Sequence, residues 1–262
     1  MSIPAFGVSL MTDPVFWLVA ALAVFIVALA KSGLVGSLGV AGVPILTLVM
    51  APREAAGVLL PLMLIMDLFA VWAYRREIDW ANLAILVPGA LAGIALGWAM
   101  SSIVSDEMVL LVIGIISLLF ILDAVFPLRR KIVGKPPSRP WGIFWGGIAG
   151  FTSFISHSGG PPFQIYVLPQ RLKPAVYAAT SAWCFAIINV TKLVPYYFLG
   201  QLSVASLEIS VLLVPVAILG VLLGIYLVRR VSVELFYKIA YVLVFLLSLK
   251  LIYDGTVGVF GL

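Results

Sequence analysis

Ser156-His157-Ser158-Gly159-Gly160-Pro161-Pro162 interrupts an apolar run between residues 141 and 170, and Lys31-Ser-Gly-Leu-Val-Gly-Ser-Leu-Gly-Val-Ala-Gly-Val-Pro44 interrupts another between residues 15 and 50. Glycine and proline at this density unwind a helix, so each run reads as a helix, an unwound turn and a short second helix. The surroundings of these turns follow from composition. Of 262 residues, 63% are hydrophobic and 10% charged, and the mean hydropathy is +1.21. A soluble domain carries about 25% charged residues, and a water-soluble fold of this length has too little interior to hide so much apolar surface. A lipid-facing exterior removes the difficulty. Inside a bilayer, unwound backbone must be buried in protein or line a cavity.

Outward from the two turns, the continuous apolar stretches long enough to span a bilayer are residues 54–74, 80–102, 107–127, 174–199, 203–228 and 232–253. The longest polar segment, residues 128–140, carries five basic residues and divides the chain near its middle. The halves on either side align. Leu86-Val-Pro-Gly-Ala-Leu-Ala-Gly-Ile-Ala-Leu-Gly97 matches Leu213-Val-Pro-Val-Ala-Ile-Leu-Gly-Val-Leu-Leu-Gly224, and Val104-Ser105 with Glu107 matches Val231-Ser232 with Glu234 at the same offset. Gly42, Pro44 and Arg53 match Gly160, Pro162 and Arg171 at a slightly different one. An internal repeat of this kind is a fold-level signal. The predicted architecture is an all-α polytopic membrane protein of two inverted-topology repeats, each a broken helical hairpin plus three transmembrane helices. Its parts are an N-terminal repeat (1–127), a cytoplasmic linker (128–140) and a C-terminal repeat (141–262).

Charge sets the expected orientation. With the 128–140 loop in the cytoplasm, Arg75, Arg76, Arg171, Lys173, Arg229, Arg230 and Lys238 also fall inside, provided each broken run enters and leaves on one side. The exceptions are Lys31, Arg53, Lys192 and Lys250. Trp72, Tyr74, Trp80 and Trp141 flank the cytoplasmic charges as an aromatic belt does. The basic residues form short clusters rather than one face, which argues against nucleic acid as a partner. The single cysteine, Cys184, excludes an intrachain disulfide framework and a multi-cysteine metal site. The N-terminal stretch lacks a basic n-region, so it is expected to be retained. No P-loop, zinc-ligand set or Ser-His-Asp arrangement occurs, and no cofactor is expected.

The chemistry is expected at the turns. A helix starting after an unwound turn presents free N–H groups and the positive end of its dipole, which attract anions. Two such ends are expected to approach the midplane from opposite faces. Gly39, Gly42, Gly159 and Gly160 let a ligand near the backbone, or alternatively permit close helix crossing. Ser37, Ser156 and Ser158 add hydroxyls. His157, the sole histidine, can donate to an anion or carry a proton, and Gln164 can donate from its amide. Asn189, Lys192 and Tyr196 recur on one helical face, and an intramembrane Lys192 is costly unless it meets a polar cavity. Asp67, also intramembrane, either pairs with a cation or carries protons. The expected partner is a small anion, and the expected solvent is lipid.

The stretch Gly150-Phe-Thr-Ser-Phe-Ile-Ser-His-Ser-Gly-Gly-Pro-Pro-Phe-Gln-Ile-Tyr-Val-Leu-Pro-Gln-Arg-Leu172, continued by Asn189-Val-Thr-Lys-Leu-Val-Pro-Tyr-Tyr-Phe-Leu-Gly-Gln201, resembles the sulfite exporter TauE/SafE family, also called the toluene sulfonate uptake permease family. In the first half, Gly39-Val-Ala-Gly42 stands in place of a denser glycine run. The resemblance implies a bacterial inner-membrane secondary carrier, often an exporter, of anions such as sulfite, thiosulfate or sulfonates. Read from the residues, the function is an alternating-access anion carrier coupled to protons through His157 or Asp67. The alternatives are a passive anion channel on the same scaffold and a membrane assembly or redox-handling partner. A membrane enzyme lacks the paired carboxylates or metal ligands it would need.

Overall fold

The computed structural model describes residues 13–32, 38–126, 137–227 and 233–261. Among these all regular structure is helical: α1 (Pro14–Lys31), α2 (Gly42–Leu46), α3 (Pro52–Tyr74), α4 (Trp80–Met100), α5 (Asp106–Val125), α6 (Arg139–Ser156), α7 (Gly160–Val167), α8 (Pro174–Phe198), α9 (Val204–Leu227) and α10 (Val233–Phe260). Short 3-10 turns precede α2 and follow α7. The starts are written locally. Asp13 accepts from Val15 N at 2.8 Å, Asp79 from Asn82 N at 3.0 Å and Ser105 from Met108 N at 3.3 Å. Each satisfies an N–H that a helix start leaves without a partner. Prolines open α1, α3 and α8, where the missing N–H costs nothing. Helix α6 begins at Arg139, inside the segment read as linker; residues 128–136 lie outside the described residues.

Among the described residues, five helices are long and apolar enough to cross a membrane: Pro14–Lys31, Pro52–Tyr74, Trp80–Met100, Ala175–Phe198 and Val204–Tyr226. Leu18, Leu68 and Val211 on these helices are about 70% exposed, an outward oiliness that suits lipid and not water. The chain is a multi-pass membrane protein.

Contacts define two faces. Arg75 and Arg76, ending α3, share a groove with Ala175 at the start of α8, and Gln170 bonds Asn82 near the start of α4. This is the basic face. Arg53, Ser101, Val104 and Gln201 gather on the far face. Helices α4 and α6 run parallel in tight contact. A Cβ on Gly89 would lie 2.1 Å from Ile143 O, one on Gly93 2.0 Å from Gly147 O, and one on Gly97 2.6 Å from the Phe154 ring. Helices α9 and α1 pair the same way, with Gly220 against Ala28 and Gly224 against Ser32. Helices α3 and α8 pack on each other, as do α5 and α10.

The contacts place the two breaks beside opposite ends of α3. Helix α1 runs 18 residues to Lys31, and the hydroxyl of Tyr74, the last residue of α3, donates to Ser32 O at 2.8 Å. The first break therefore lies towards the basic face. Helix α6 also runs 18 residues, and its capping residue His157 reaches Ala56 O, near the start of α3, at 2.9 Å. The second break therefore lies towards the far face. The apolar runs before the turns are long enough for both helices to propagate 18 residues, and α6 ends at the left-handed His157.

Candidate functional site

A cavity of about 370 Å³ opens between the two broken hairpins. Val27, Ala30 and Lys31 from α1 with Gly39 and Val40 from the first return line one side. Ser153, His157, Gly160, Val167 and Arg171 from the second hairpin line another, and α3 and α8 close it with Asp67, Tyr74, Tyr177, Ser181 and Phe185. Elements from both halves thus build one chamber. Its walls are mainly apolar, and its charged lining is Lys31, Asp67 and Arg171.

Two polar clusters stand at this chamber. In the first, Lys31 Nζ forms an ion pair with Asp67 Oδ1. The other carboxylate oxygen accepts from Asn189 Nδ2 at 2.6 Å. In the second, Lys192 Nζ donates to Ser153 O at 3.0 Å, contacts Ser153 Oγ at 3.1 Å, and meets His157 Nδ1 at 2.6 Å. Ala56 O can only accept, so His157 Nε2 carries a proton. The 2.6 Å contact then holds a single proton between Nδ1 and Nζ. His157 takes φ 55°, a left-handed residue that ends α6. Outside glycine this conformation costs about 1 kcal/mol or more, which the two ring bonds offset.

Of the residues picked from sequence, Gly39, Gly160, His157 and Asp67 line the chamber. Asn189, Lys192 and Tyr196 are fully buried one layer behind it. Tyr196 donates to Phe154 O at 2.6 Å, so these three hold the lining in place. Ser156 and Ser158 are turned inward: their hydroxyls lie 2.9 Å apart, and Ser156 Oγ donates to Thr152 O at 3.3 Å. Gly42 and Gly159 permit close packing. A Cβ at Gly42 would lie 2.4 Å from Val27 Cγ2, and one at Gly159 2.7 Å from Ala149 O. Gln164 is half-buried on α7, outside the lining. Ser37 lies outside the described residues.

Sequence reasoning did not pick Arg171, Tyr74, Ser153 or Phe185 as site residues, and had Lys31 only as an exception to the charge bias. Arg171 had a signal, its match to Arg53 across the repeat. The others are brought in by tertiary packing alone. Among the described residues no cluster of His, Cys, Asp and Glu could hold a metal.

With this geometry in hand, the sequence model of one family, "Sulfite exporter TauE/SafE", matches residues 20–251. The chain belongs to the sulfite exporter TauE/SafE family. The match takes in both hairpins and every helix that lines the chamber, so the chamber is built from TauE/SafE sequence throughout. No curated protein and no solved structure matches the chain.

Proposed function

We propose that the protein is a secondary carrier, working as an exporter, of small sulfur-containing or organic anions such as sulfite or sulfonates. It sits in the bacterial inner membrane, works by alternating access and is coupled to protons. One observation carries this reading: a chamber assembled from the broken hairpins of both halves, with two cations and a histidine in its lining. Gly39, Gly160 and His157 offer direct contacts to an anion. Ser156, Ser158, Asn189, Lys192 and Tyr196 fix the second hairpin and α8 around it, and Asp67 or His157 takes the coupled proton.

The helix pairing supports two inverted repeats. Helix α4 packs on α6 as α9 packs on α1, through Gly93 and Gly97 in one half and their matches Gly220 and Gly224 in the other. Positive-inside bias makes the basic face cytoplasmic, so the chamber faces inward. On the opposite face the pocket beside Arg53 holds about 40 Å³, which favours a carrier over an open pore.

The test is flux of radiolabelled sulfite and of a sulfonate in proteoliposomes, for the unaltered protein and for His157→Ala and Lys192→Ala. The expected result is gradient-dependent flux that falls about tenfold or more in each variant, since each removes a charge-assisted bond. Unchanged flux in both would take them out of the site. Unitary currents in planar bilayers would replace the carrier by a channel.

A further inference from the structure

Asn189 carries an anomaly. It is fully buried, its Nδ2 donates to Asp67 Oδ2 at 2.6 Å, and its own Oδ1 has no hydrogen-bond partner. A buried amide oxygen without a donor costs about 1–3 kcal/mol. The donor that would satisfy it can come from the neighbouring carboxyl. A protonated carboxylic acid and a primary amide form a closed pair: the amide N–H donates to one acid oxygen, and the acid O–H donates to the amide oxygen. Half of that pair is already formed.

Lys31 prevents the other half. Its ammonium occupies the Asp67 oxygen that would carry the proton. Yet Lys31 is not enclosed by this contact. Its side chain is 12% exposed against 3% for Asp67, and it lines the chamber with Phe185 at 5.4 Å from its nitrogen. An anion in the chamber can therefore reach the ammonium.

Resting on the carrier reading above, we infer that Lys31 binds the carried anion, and that Asp67 is a built-in competitor which gives up Lys31 by taking a proton and closing an acid–amide pair with Asn189. The balance is simple. The anion enters from the chamber and bonds to the Lys31 ammonium, which keeps its protons. A proton from water adds to Asp67, and its O–H turns to Asn189 Oδ1. One negative and one positive charge enter together, so the buried charge is unchanged.

The other charged or titratable groups around Asp67 are His157 at the end of α6, Lys192 on α8, Arg171 after α7, and Tyr74 and Tyr177 in the lining. Helices α2, α5 and α9, which flank the same core, contribute nothing to the lining. Among the described residues Asp67 is the sole acid in the lining. It is therefore the group in the lining whose protonation removes a negative charge.

The experiment uses proteoliposomes with an enclosed pH dye and methanesulfonate and toluenesulfonate as probes, because neither titrates in the working range. In the unaltered protein about one proton should move with each anion. Asp67→Asn should keep anion flux, lose the accompanying proton, become electrogenic and lower KM about fivefold or more, because the competitor is gone. Lys31→Gln should raise KM about tenfold or more. Anion-induced thermal shift in detergent reports binding and folding independently of flux, and should persist in Asp67→Asn and vanish in Lys31→Gln. A proton that still accompanies the anion in Asp67→Asn overturns the inference, as does equal loss of binding in both variants. If the unaltered protein carries neither probe, nor sulfite, the carrier reading fails and the inference with it. If anions move without protons from the start, only the inference fails.

Discussion

At the first break a cation on the hairpin, Lys31, meets a carboxylate on a spanning helix, Asp67; at the second, a cation on the spanning helix, Lys192, holds an imidazole on the hairpin, His157. The first pair lines the chamber, so either member is open to a competitor. In the second the ammonium is closed off: three acceptors surround Lys192, matching its three donors, and none of Lys192 is exposed, while His157 borders the chamber. The mouths differ too, in the opposite sense. Arg171 stands exposed at the chamber, on a left-handed backbone at φ 55°. Its sequence match Arg53 is tied to Asp106 Oδ1 at 2.9 Å, to Ser101 O at 3.2 Å and to Val104 O. Groups that match in sequence therefore stand in different local states: the N-terminal half holds the open ion pair and the engaged arginine, and the C-terminal half the closed pair and the exposed arginine.

The largest expected effect breaks the contrast between the two pairs. Lys192→Met leaves three buried acceptors without their donor and should cost about 3 kcal/mol of stability. Asp67→Asn leaves Lys31 facing the open chamber and should cost about 1 kcal/mol. Thermal unfolding in detergent compares them, and equal losses would erase the distinction between a closed clamp and an open pair.

The next prediction concerns the matched glycines. Gly93→Ala drives a methyl into the backbone of α6, whereas Gly220→Ala meets the side chain of Ala28. Each should destabilise by about 1–3 kcal/mol. Ala28→Gly should rescue Gly220→Ala, while no side-chain deletion should rescue Gly93→Ala. Expression level and unfolding midpoint of the double variants decide it.

A smaller effect is expected at the far mouth. The Arg53 and Asp106 side chains are 38% and 45% exposed, so solvent weakens their pair to at most about 1 kcal/mol. Removing both by Arg53→Ala and Asp106→Ala should raise labelling of an Ile155→Cys probe by a membrane-impermeant thiol reagent about fivefold. The background is Cys184→Ser, since Cys184 is the sole native thiol and is buried. Labelling that stays at the unaltered level would mean that these contacts do not hold the face shut.

The smallest is Arg171→Ala. The side chain is exposed, so stability should be unchanged, while KM for the anion should rise about twofold from the loss of local attraction. A fall in stability as large as that of Lys192→Met would show that Arg171 is structural.

Much of the fold was legible in residue order. The apolar stretches predicted from 54, 80, 174 and 203 appear as α3, α4, α8 and α9, each long and apolar enough to cross, because hydrocarbon thickness fixes how long an apolar run must be; those from 107 and 232 appear as the helices α5 and α10, and α1, read as part of a broken run, is itself long enough to cross. The turn before Pro161 was legible for an equally local reason, since glycine and proline act on their own backbone; residues 33–37 of the turn before Pro44 lie outside the described residues. Which polar residues meet was not legible. Asp67 and Asn189 are 122 positions apart, and Lys192 and His157 are 35 apart. Nothing in either neighbourhood names the partner.

Sequence alone determined that this chain lives in lipid, that each half breaks once at a glycine- and proline-rich turn, and that a histidine and two intramembrane charges require partners. These follow from transfer free energy and backbone sterics, which act residue by residue. Only the tertiary structure decided how far each helix runs before its break, which cation faces the chamber and which is walled off. Those outcomes depend on distances between groups remote in the chain, and a charge in a low-dielectric interior is governed by whatever stands within a few ångströms of it.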